Sequence, residues 1–372
     1  MCEEFVQNKL VMKKTLFFFL VAALCACKEH PFRGELYRIA KSENIIEIKP
    51  DTSIRGEIPY AFYMGIKDSL AIFHTHKDKF FMFEIYDMKN KRSCGKFGPI
   101  GHGHKEVSIT TAARQFFEEE GQVKSYLYEP NKEEVLIWNI SASLEEGKTV
   151  YDSIIPYKED NDFPIGYSDW FSLGKKNTLV NRTSVSDMLD NISPDVWQVR
   201  SFPDTALVRN IQLFNNIVNR QGIILPEAFF SAPRCVKPDY TQFANAMCWL
   251  PQINIVDIQS GKAKGFLLKG MDDYDIFQTD MMNLKYYYAD IQSDNDHIFA
   301  LWCGEQAINK DQQKGMEEVH VFNWKGNMLG RIKLSTPTDR ICLDVENKLL
   351  YAYHTDHENL YCYKIPANLG EE

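Results

Sequence analysis

The chain has 372 residues, of which 44% are hydrophobic and 25% are charged, and its formal net charge is −9. This composition excludes a disordered or collagen-like chain, and the length suffices for two domains or for one large closed architecture. Because an acidic chain repels nucleic-acid phosphates and no basic stripe stands out, the sequence argues against nucleic-acid binding.

The first feature along the chain is a short apolar segment near the N-terminus. Lys13 and Lys14 precede an apolar run over 15–24. The run is shorter than the roughly 20 residues that a membrane-spanning helix needs, and it has the length of a secretory signal. Met12 lies directly before the lysines, so we interpret it as the true start and 1–11 as a mis-assigned extension. Residues 1–26 are thus predicted to be a leader and signal peptide.

The apolar run ends in Leu24-Cys25-Ala26-Cys27, which resembles the lipobox of bacterial lipoproteins. The resemblance implies cleavage after Ala26 and a lipid on Cys27, whereas Cys25 fits less well. Two or more acyl chains give a stable membrane anchor. Lys28 stands where the inner-membrane retention signal has Asp, which implies a cell-envelope protein anchored in the outer membrane. A plain signal peptide with incidental cysteines is the alternative.

The rest of the chain is interpreted as a tether over 27–44, a body over 45–366 and a tail over 367–372. Within the body, 109–120 is predicted to form one short helix and 183–192 another helical turn. Most other segments are short apolar and aromatic runs between turn signals, as expected of strands. The clearest predicted strands are Leu70–His74, Phe80–Tyr86, Val135–Ile140, Ile253–Ile258, Tyr286–Ile291, Ile298–Trp302, Val319–Trp324 and Leu349–Tyr353.

Two short patterns recur along the body and alternate with each other. Val256–Gly261 matches Val321–Gly326 at an offset of 65, and Ile85–Asn90 has the same layout. Phe299–Trp302 matches Tyr351–His354 at an offset of 52. Hairpins that repeat every 50 to 65 residues indicate about six four-stranded units. The predicted fold class is therefore all-β, a six-bladed β-propeller, with a β-sandwich or two β-domains as the alternative.

Parts of the body resemble TolB-like six-bladed propeller lipoproteins of Bacteroides-type bacteria. Cys94–Gly103 is similar to the Gly-rich loop after their first blade, and Val321–Asn327 with Ile341–Ala352 is similar to their last blades. The sequence departs from the pattern at Ile100 and His102, and the middle of the body matches poorly. The resemblance implies a propeller at the cell envelope, and it implies no agreed activity and no catalytic residues.

Four histidines are weak candidates for a metal site. His74 and His76 would face the same side of a strand, and His102 and His104 lie in the Gly-rich loop. No cysteine or acidic ligand accompanies them at a fixed spacing. Surface or loop histidines are therefore the favoured interpretation.

Aromatic residues and cysteines allow similar alternatives. Tyr288 and Trp302 are candidates for a binding face, and packing between blades is the favoured alternative. The six cysteines that follow Cys27 lack the spacing of a zinc site and are interpreted as small buried hydrophobic residues. Cys235 and Cys248 form the one pair for which a disulfide stays open.

No nucleotide-binding, serine-hydrolase or metalloprotease motif occurs, and the sequence predicts no cofactor. The leading hypothesis is a non-enzymatic binding or scaffold propeller in the outer membrane or periplasm, with an unknown protein or glycan partner. The rival is a glycan-active enzyme whose carboxylates meet at the mouth of the propeller channel. Acids such as Asp272, Asp290 and Asp294 show no convergence in the linear order.

Overall fold

Six β-sheets follow one another along the chain, and each packs against the next to form a six-bladed β-propeller. The predicted fold class is therefore confirmed. The computed structural model describes residues 31–55, 61–67, 69–75, 78–112, 115–156, 170–174, 176–182, 191–192, 196–204, 206–215, 217–218, 230–271, 284–307, 316–354 and 359–369.

An N-terminal segment, which we call the belt, precedes the first blade. It contains three short strands: β1 (Glu35–Ile39), β2 (Ile45–Ile48) and β3 (Thr52–Arg55).

Blades 1 to 3 are built in chain order, with the innermost strand of each blade first. Blade 1 consists of β4 (Ala61–Lys67), β5 (Leu70–Thr75), β6 (Phe81–Asp87) and β7 (Arg92–Pro99). Blade 2 consists of β8 (Thr111–Ala112), β9 (Phe117–Glu119), β10 (Gln122–Glu129), β11 (Glu134–Asn139) and β12 (Tyr151–Pro156), with helix α1 (Ile140–Glu146) before its last strand. Blade 3 consists of β13 (Trp170–Ser172), β14 (Asn177–Arg182), β16 (Val196–Ser201) and β17 (Leu207–Gln212), and a separate ribbon pairs β15 (Asn191–Ile192) with β18 (Ile217–Val218).

Blades 4 to 6 continue the same order. Blade 4 consists of β19 (Arg234–Val236), β20 (Gln242–Ala246), β21 (Gln252–Asp257) and β22 (Ala263–Leu268). Blade 5 consists of β23 (Lys285–Ser293), β24 (His297–Ala307), β25 (Met316–Asn323) and β26 (Met328–Thr338). Blade 6 takes β27 (Arg340–Asp344), β28 (Leu349–His354) and β29 (Asn359–Lys364) from the C-terminal part of the chain. Each of the eight strands predicted from the sequence coincides with one of these strands, although β24 extends five residues beyond Trp302 and β25 begins three residues before Val319.

The belt adds an outermost strand to each of the last three blades. β1 pairs with β22 and β2 pairs with β26, both in parallel, and β3 pairs with β29 in antiparallel orientation. The belt thus covers sheet edges that would otherwise be open, and β3 closes the ring by joining the two ends of the body in one sheet. Part of the segment predicted as a tether, 27–44, therefore belongs to the propeller, because β1 lies within it.

Six apolar clusters hold the ring together, one at each boundary between neighbouring blades. On β24, Ala300 and Trp302 pack toward blade 4, whereas Phe299 and Leu301 pack toward blade 6. Successive side chains of a strand point to opposite faces, and here both faces are covered. This is why the strands of the sequence are continuous apolar runs rather than alternating ones.

The two repeated patterns occupy equivalent places in different blades. Val256–Gly261, Val321–Gly326 and Ile85–Asn90 each lie at the turn between the third and fourth strands of a blade. Phe299–Trp302 and Tyr351–His354 both lie on the second strand. The repeat-based prediction of four-stranded units is confirmed.

The prediction of a helix over 109–120 is wrong. This stretch contains β8 and β9, which both pair with β10 as the innermost strand of blade 2. Glu120 and Gly121 have φ of +54° and +73°, which end the strand in a two-residue hairpin that a helix cannot contain. Of the other predicted turn, 183–190 lie outside the described residues and 191–192 form a strand rather than a helix.

The structure instead has a short helix that the sequence analysis missed. Asn139 caps α1 by accepting from the backbone N–H of Ala142 at 2.9 Å, and Gly147 ends it with φ of +66°. Asn before a helix and Gly after it are common signals for its two ends.

A polar cluster fastens the belt to blade 5. Lys41, between β1 and β2, places Nζ 2.9 Å from Oε1 of Glu318 on β25. Arg331 on β26 lies 3.5 Å from the same oxygen, and its Nε donates to the carbonyl of Ser42 at 2.7 Å. Burial opposes the ionisation of Glu318, but its hydrogen bonds to His320 and Lys41 outweigh burial and lower its pKa to about 2.

The cluster continues inward to a buried histidine. Because a carboxylate can only accept, Nε2 of His320 donates to Glu318 at 2.8 Å, which leaves Nδ1 to accept from the Tyr288 hydroxyl at 3.1 Å. The imidazole also stacks on Trp302 with 4.5 Å between ring centroids. Burial lowers the pKa of His320 to about 4, so the ring is neutral at pH 7.

We expect Gly326→Ala to destabilise the contact between blades 4 and 5. Gly326 has φ of +89°, and a Cβ there would overlap the ring of Phe266. Gly121 is the matched control, because its φ is +73° and a Cβ would meet nothing within 4 Å. Urea unfolding should show that G326A loses about 1–3 kcal/mol more unfolding free energy than G121A. Equal losses would contradict a tight contact at Phe266.

We also expect acid to destabilise the fold through His320. Burial lowers the pKa of His320 from 6.5 to about 4. At a pH between these two pKa values, His320 is protonated in the unfolded chain and neutral in the folded chain. The free energy of unfolding should therefore fall by roughly 2 kcal/mol from pH 6.5 to pH 4.5. Urea unfolding across this range measures the loss, and His320→Gln should largely remove it because glutamine does not titrate.

His297 provides the control for this experiment. Its hydrogen bond to Asp294 raises its pKa above 6.5, so its contribution to stability is present at low pH and is lost as the pH rises. The stability contribution of His297 therefore changes with pH in the direction opposite to that of His320. His297→Gln should leave the acid-induced loss of stability in place. Parallel stability curves for the wild type and H320Q would refute the role of His320.

Candidate functional site

The innermost strands of the six blades surround one central cavity of about 350 Å³. Blades 1, 4, 5 and 6 contribute the ends of their first strands, and blades 2 and 3 contribute residues on and beside β9 and β13. This volume lies in the range of small-molecule sites. The lining consists of 65–67, 115–118, Phe171, Cys235, Val236, Pro238, Tyr240, Gln292, Ser293 and 342–346.

Aromatic residues from blades 2, 3 and 4 line one wall, Phe116, Phe117, Phe171 and Tyr240, of which Phe117 and Phe171 are buried in the clusters between blades. Phe116 reaches blade 1, where a side chain at Gly65 would overlap its ring. Tyr240 has a φ of +63°, in a turn where its N–H donates to the carbonyl of Lys237 at 2.8 Å. A positive φ is unfavourable for a non-glycine residue by about 1–2 kcal/mol. The turn therefore holds an aromatic ring at the cavity against a local backbone cost.

Blades 5, 6 and 1 form the opposite wall, where Lys67, Asp344 and Glu346 lie among apolar residues such as Ile66, Leu343 and Val345. Lys67 and Glu346 make an ion pair of 2.9 Å across the boundary between blades 1 and 6. Asp344 is buried, and its two oxygens accept from the backbone N–H and the side-chain amide of Asn347 at 3.1 and 2.8 Å. Asp344 and Asn347, which lie in the stretch Ile341–Ala352 that resembles a last blade, thus form a structural turn that borders the cavity.

Two cysteines line the cavity as buried thiols. Burial raises the pKa of Cys235 to about 12 and that of Cys342 well above its usual range. Both thiols stay protonated at neutral pH, so neither provides a thiolate nucleophile. Cys235 and Cys248, the pair with an open disulfide prediction, are both buried and both free. The interpretation of the cysteines as small buried residues holds for this pair.

The structure locates three of the four candidate histidines. His74 lies half-buried on β5, with its ring centroid 5.5 Å from that of Phe83. His102 and His104 are exposed in the Gly-rich loop, and His76 lies outside the described residues. Within the described part of the chain, no group of three or more His, Cys, Asp or Glu side chains could hold a metal ion.

The Gly-rich loop after blade 1 is held by structural contacts. Glu106 accepts from the N–H of Gly103 at 2.8 Å, and Lys132 donates to the carbonyls of Gly103 and Glu106, each at 2.6 Å. Just beyond the loop, the buried carboxylate of Glu129 accepts from the N–H and hydroxyl of Ser108. These bonds position the crossing from blade 1 to blade 2.

Tyr288 and Trp302, the candidate binding-face aromatics, lie inside the molecule rather than on a face. Their side chains are 0% and 5% exposed, and they pack between blades 4 and 5. The alternative, packing between blades, describes both residues. The aromatic residues that do reach the cavity were not predicted from the sequence. One local signal for them is the Pro238-Asp239-Tyr240 turn, which directly follows the first strand of blade 4.

The remaining candidates do not add to the site. Cys27 and Asp272 lie outside the described residues. Asp290 is buried and accepts from the N–H of Ile341 at 3.0 Å, which links the innermost strands of blades 5 and 6. Asp294 caps a turn by accepting from backbone N–H groups. In the described part of the chain, no helix has the length and apolar character needed to cross a bilayer.

No protein-family model matches the sequence, and no curated protein matches it. Among solved structures, the chain is similar to a member of the DUF4221 family from Bacteroides vulgatus, with a TM-score of 0.52 and 11% identity over 87% of this chain and 99% of that chain. It also matches Raptor from Chaetomium thermophilum, with a TM-score of 0.43 and 11% identity over 91% of this chain and 29% of that chain. At these identities, the likeness to the DUF4221 protein supports the six-bladed propeller fold alone.

Proposed function

We propose that the protein is a TolB-like binding or scaffold propeller of the cell envelope whose central cavity takes a small ligand with one apolar face and one polar edge. The observation that carries this proposal is the contrast between the two walls of the cavity. The aromatic wall of blades 2 to 4 suits an apolar face. The charged, amide and hydroxyl groups of blades 5, 6 and 1 suit an edge that forms hydrogen bonds.

The rival function, a glycan-active enzyme, has less support from this cavity. In the described part of the chain, the acidic residues that line the cavity are Glu118, Asp344 and Glu346. Glycoside hydrolysis needs two carboxyl groups that face each other across the sugar. Both oxygens of Asp344 already accept hydrogen bonds from Asn347, and Glu346 pairs with Lys67. Two of the three acids therefore serve the local structure, which favours binding over hydrolysis.

We expect Tyr240→Gly to weaken ligand binding while the fold persists. Glycine is unstrained at the φ of +63° that Tyr240 adopts, so the free energy of unfolding should stay within about 1 kcal/mol of wild type. Loss of the ring removes part of the aromatic wall, and the affinity should fall about tenfold or more. A thermal-shift screen of neutral and acidic oligosaccharides and short peptides would supply the ligand, and calorimetry would give the affinities.

Glu133→Gly is the matched control, because Glu133 also has a positive φ of +52° but lies in the turn between β10 and β11, outside the cavity lining. This variant should bind as the wild type does. A ligand that Y240G binds normally would have its site elsewhere. Conversion of the ligand into a product, detected by mass spectrometry, would favour the enzyme.

The anchoring part of the proposal depends on Cys27. We expect the full-length protein, expressed in a Gram-negative host with an alkyne-tagged palmitate, to carry the label and to fractionate with the outer membrane. Cys27→Ala should remove the label, whereas the matched Cys25→Ala should retain it, because only Cys27 occupies the acceptor position of the lipobox-like sequence. A label that follows Cys25, or the absence of any label, would contradict the assignment.

A further inference from the structure

A second cavity, of about 560 Å³, lies between blades 4 and 5. We call it the lateral groove. Its lining comes from the hairpins β19–β20 and β21–β22 of blade 4, the hairpin β25–β26 of blade 5, and the start of β1. The buried rings of Phe266 and Trp324 form its apolar base, and Trp324 is held in place because its Nε1 donates to the carbonyl of Asp294 at 3.0 Å.

The lateral groove opens on the same face of the propeller as the turns that border the central cavity. The first and third strands of a blade run in the same direction, so the turns after them lie at the same end of the sheet. The hairpin after β19 contributes Val236, Pro238 and Tyr240 to the central cavity and Lys237 to the lateral groove. One turn of blade 4 therefore borders both cavities.

The charge of the lateral groove is opposite to that of the whole chain. Among the described residues, four lysines and two carboxylates line it, whereas the chain has a formal net charge of −9. Both carboxylates are engaged locally: Glu35 accepts from the Tyr37 hydroxyl at 2.5 Å, and Asp257 accepts from the N–H and hydroxyl of Ser260, each at 2.6 Å. The lysines that line the groove are Lys237, Lys262, Lys264 and Lys325.

Three of these lysines make no ion pair within the described part of the chain, although Lys262 lies close enough to Asp257 to contribute to lowering the pKa of that carboxyl. Lys237 pairs with Asp239 at 2.5 Å. Lys262, Lys264 and Lys325 are exposed and make no ion pair with any residue that the structure describes; Lys264 lies over the Tyr37 ring at 5.9 Å. Like charges gathered at one groove repel each other, and an anionic ligand would relieve this repulsion.

We propose that the lateral groove binds a small polyanion, a ligand with two or more phosphate or carboxylate groups. The ammonium group of a lysine acts as a point charge, so it can bind either a phosphate or a carboxylate group. The side-chain amide of Gln242, which also lines the groove, offers hydrogen bonds to hydroxyl groups between the charges. This inference does not depend on occupation of the central cavity.

The test is calorimetric titration of the full-length protein with three probes at low salt. Inositol hexakisphosphate carries phosphates, trigalacturonate carries carboxylates, and maltotriose is neutral. We expect at least one charged probe to bind and maltotriose not to bind. The affinity should fall several-fold when the salt rises from about 20 to 200 mM, because exposed charges are screened. The charged probe that binds identifies the anion as phosphate or carboxylate.

Lys264→Glu with Lys325→Glu should weaken this binding tenfold or more. The matched control is Lys89→Glu with Lys91→Glu, which changes the net charge equally. Lys89 occupies in the blade 1 hairpin the position that Lys325 occupies in blade 5. K89E/K91E should bind normally, and circular dichroism would verify both folds. Binding of neither charged probe, equal binding of maltotriose, or equal weakening by both double variants would overturn the proposal.

Discussion

Burial of both faces of every sheet is the constraint on which this structure depends. A single four-stranded blade exposes two apolar faces, and only a neighbour on each side removes both from water. The ring meets this need with six clusters, one at each boundary. The strand Leu349–His354 illustrates the burial of both faces. Leu350 and Ala352 pack toward blade 5, whereas Tyr351 and Tyr353 pack toward blade 1.

The same constraint explains the route of the N-terminal segment. A ring of blades buries faces but leaves the outer edge of each sheet open to pairing. The belt covers these edges in blades 4 and 5 with parallel strands and then completes blade 6 through the pairing of Ile54 with Leu360. The ion pair of Lys41 with Glu318 stabilises this route, and the buried His320 continues the contact into the boundary between blades 4 and 5. Ring closure and the attachment of the belt are therefore one structural unit.

The two cavities follow from this construction. The innermost strands converge on the central axis and leave a cavity where they end. The residues of the turns that follow these strands determine the chemistry of the cavity. In this chain, Tyr240 supplies an aromatic ring from blade 4, while Asp344 and Glu346 supply polar groups from blade 6. Turns of the outer hairpins in blades 4 and 5 add Lys264 and Lys325 to the lateral groove. One face of the propeller thus combines an amphipathic centre with a cationic groove at its side.

Much of the fold could be predicted from local sequence. Continuous apolar runs such as Ile298–Trp302 and turn residues such as Gly261 and Gly326 repeat at blade spacing, because strand formation and tight turns depend on neighbouring residues. The stretch over 109–120 misled the prediction, since its role as an innermost strand comes from pairing with Gln122–Glu129. That pairing and the hairpin at Gly121 outweigh its local helical pattern.

The candidate site was decided by tertiary structure alone. Phe116, Tyr240 and Asp344 are far apart in the chain, and nothing in their spacing indicates that they share a cavity. Packing between blades was the favoured interpretation of Tyr288 and Trp302, but only the structure shows that it is the boundary between blades 4 and 5 that buries them. By itself, the sequence determined the strands, their turns and the repeat. Which side chains meet at the axis or are buried between blades was decided by closure of the ring, because long-range packing sets the surroundings of each residue.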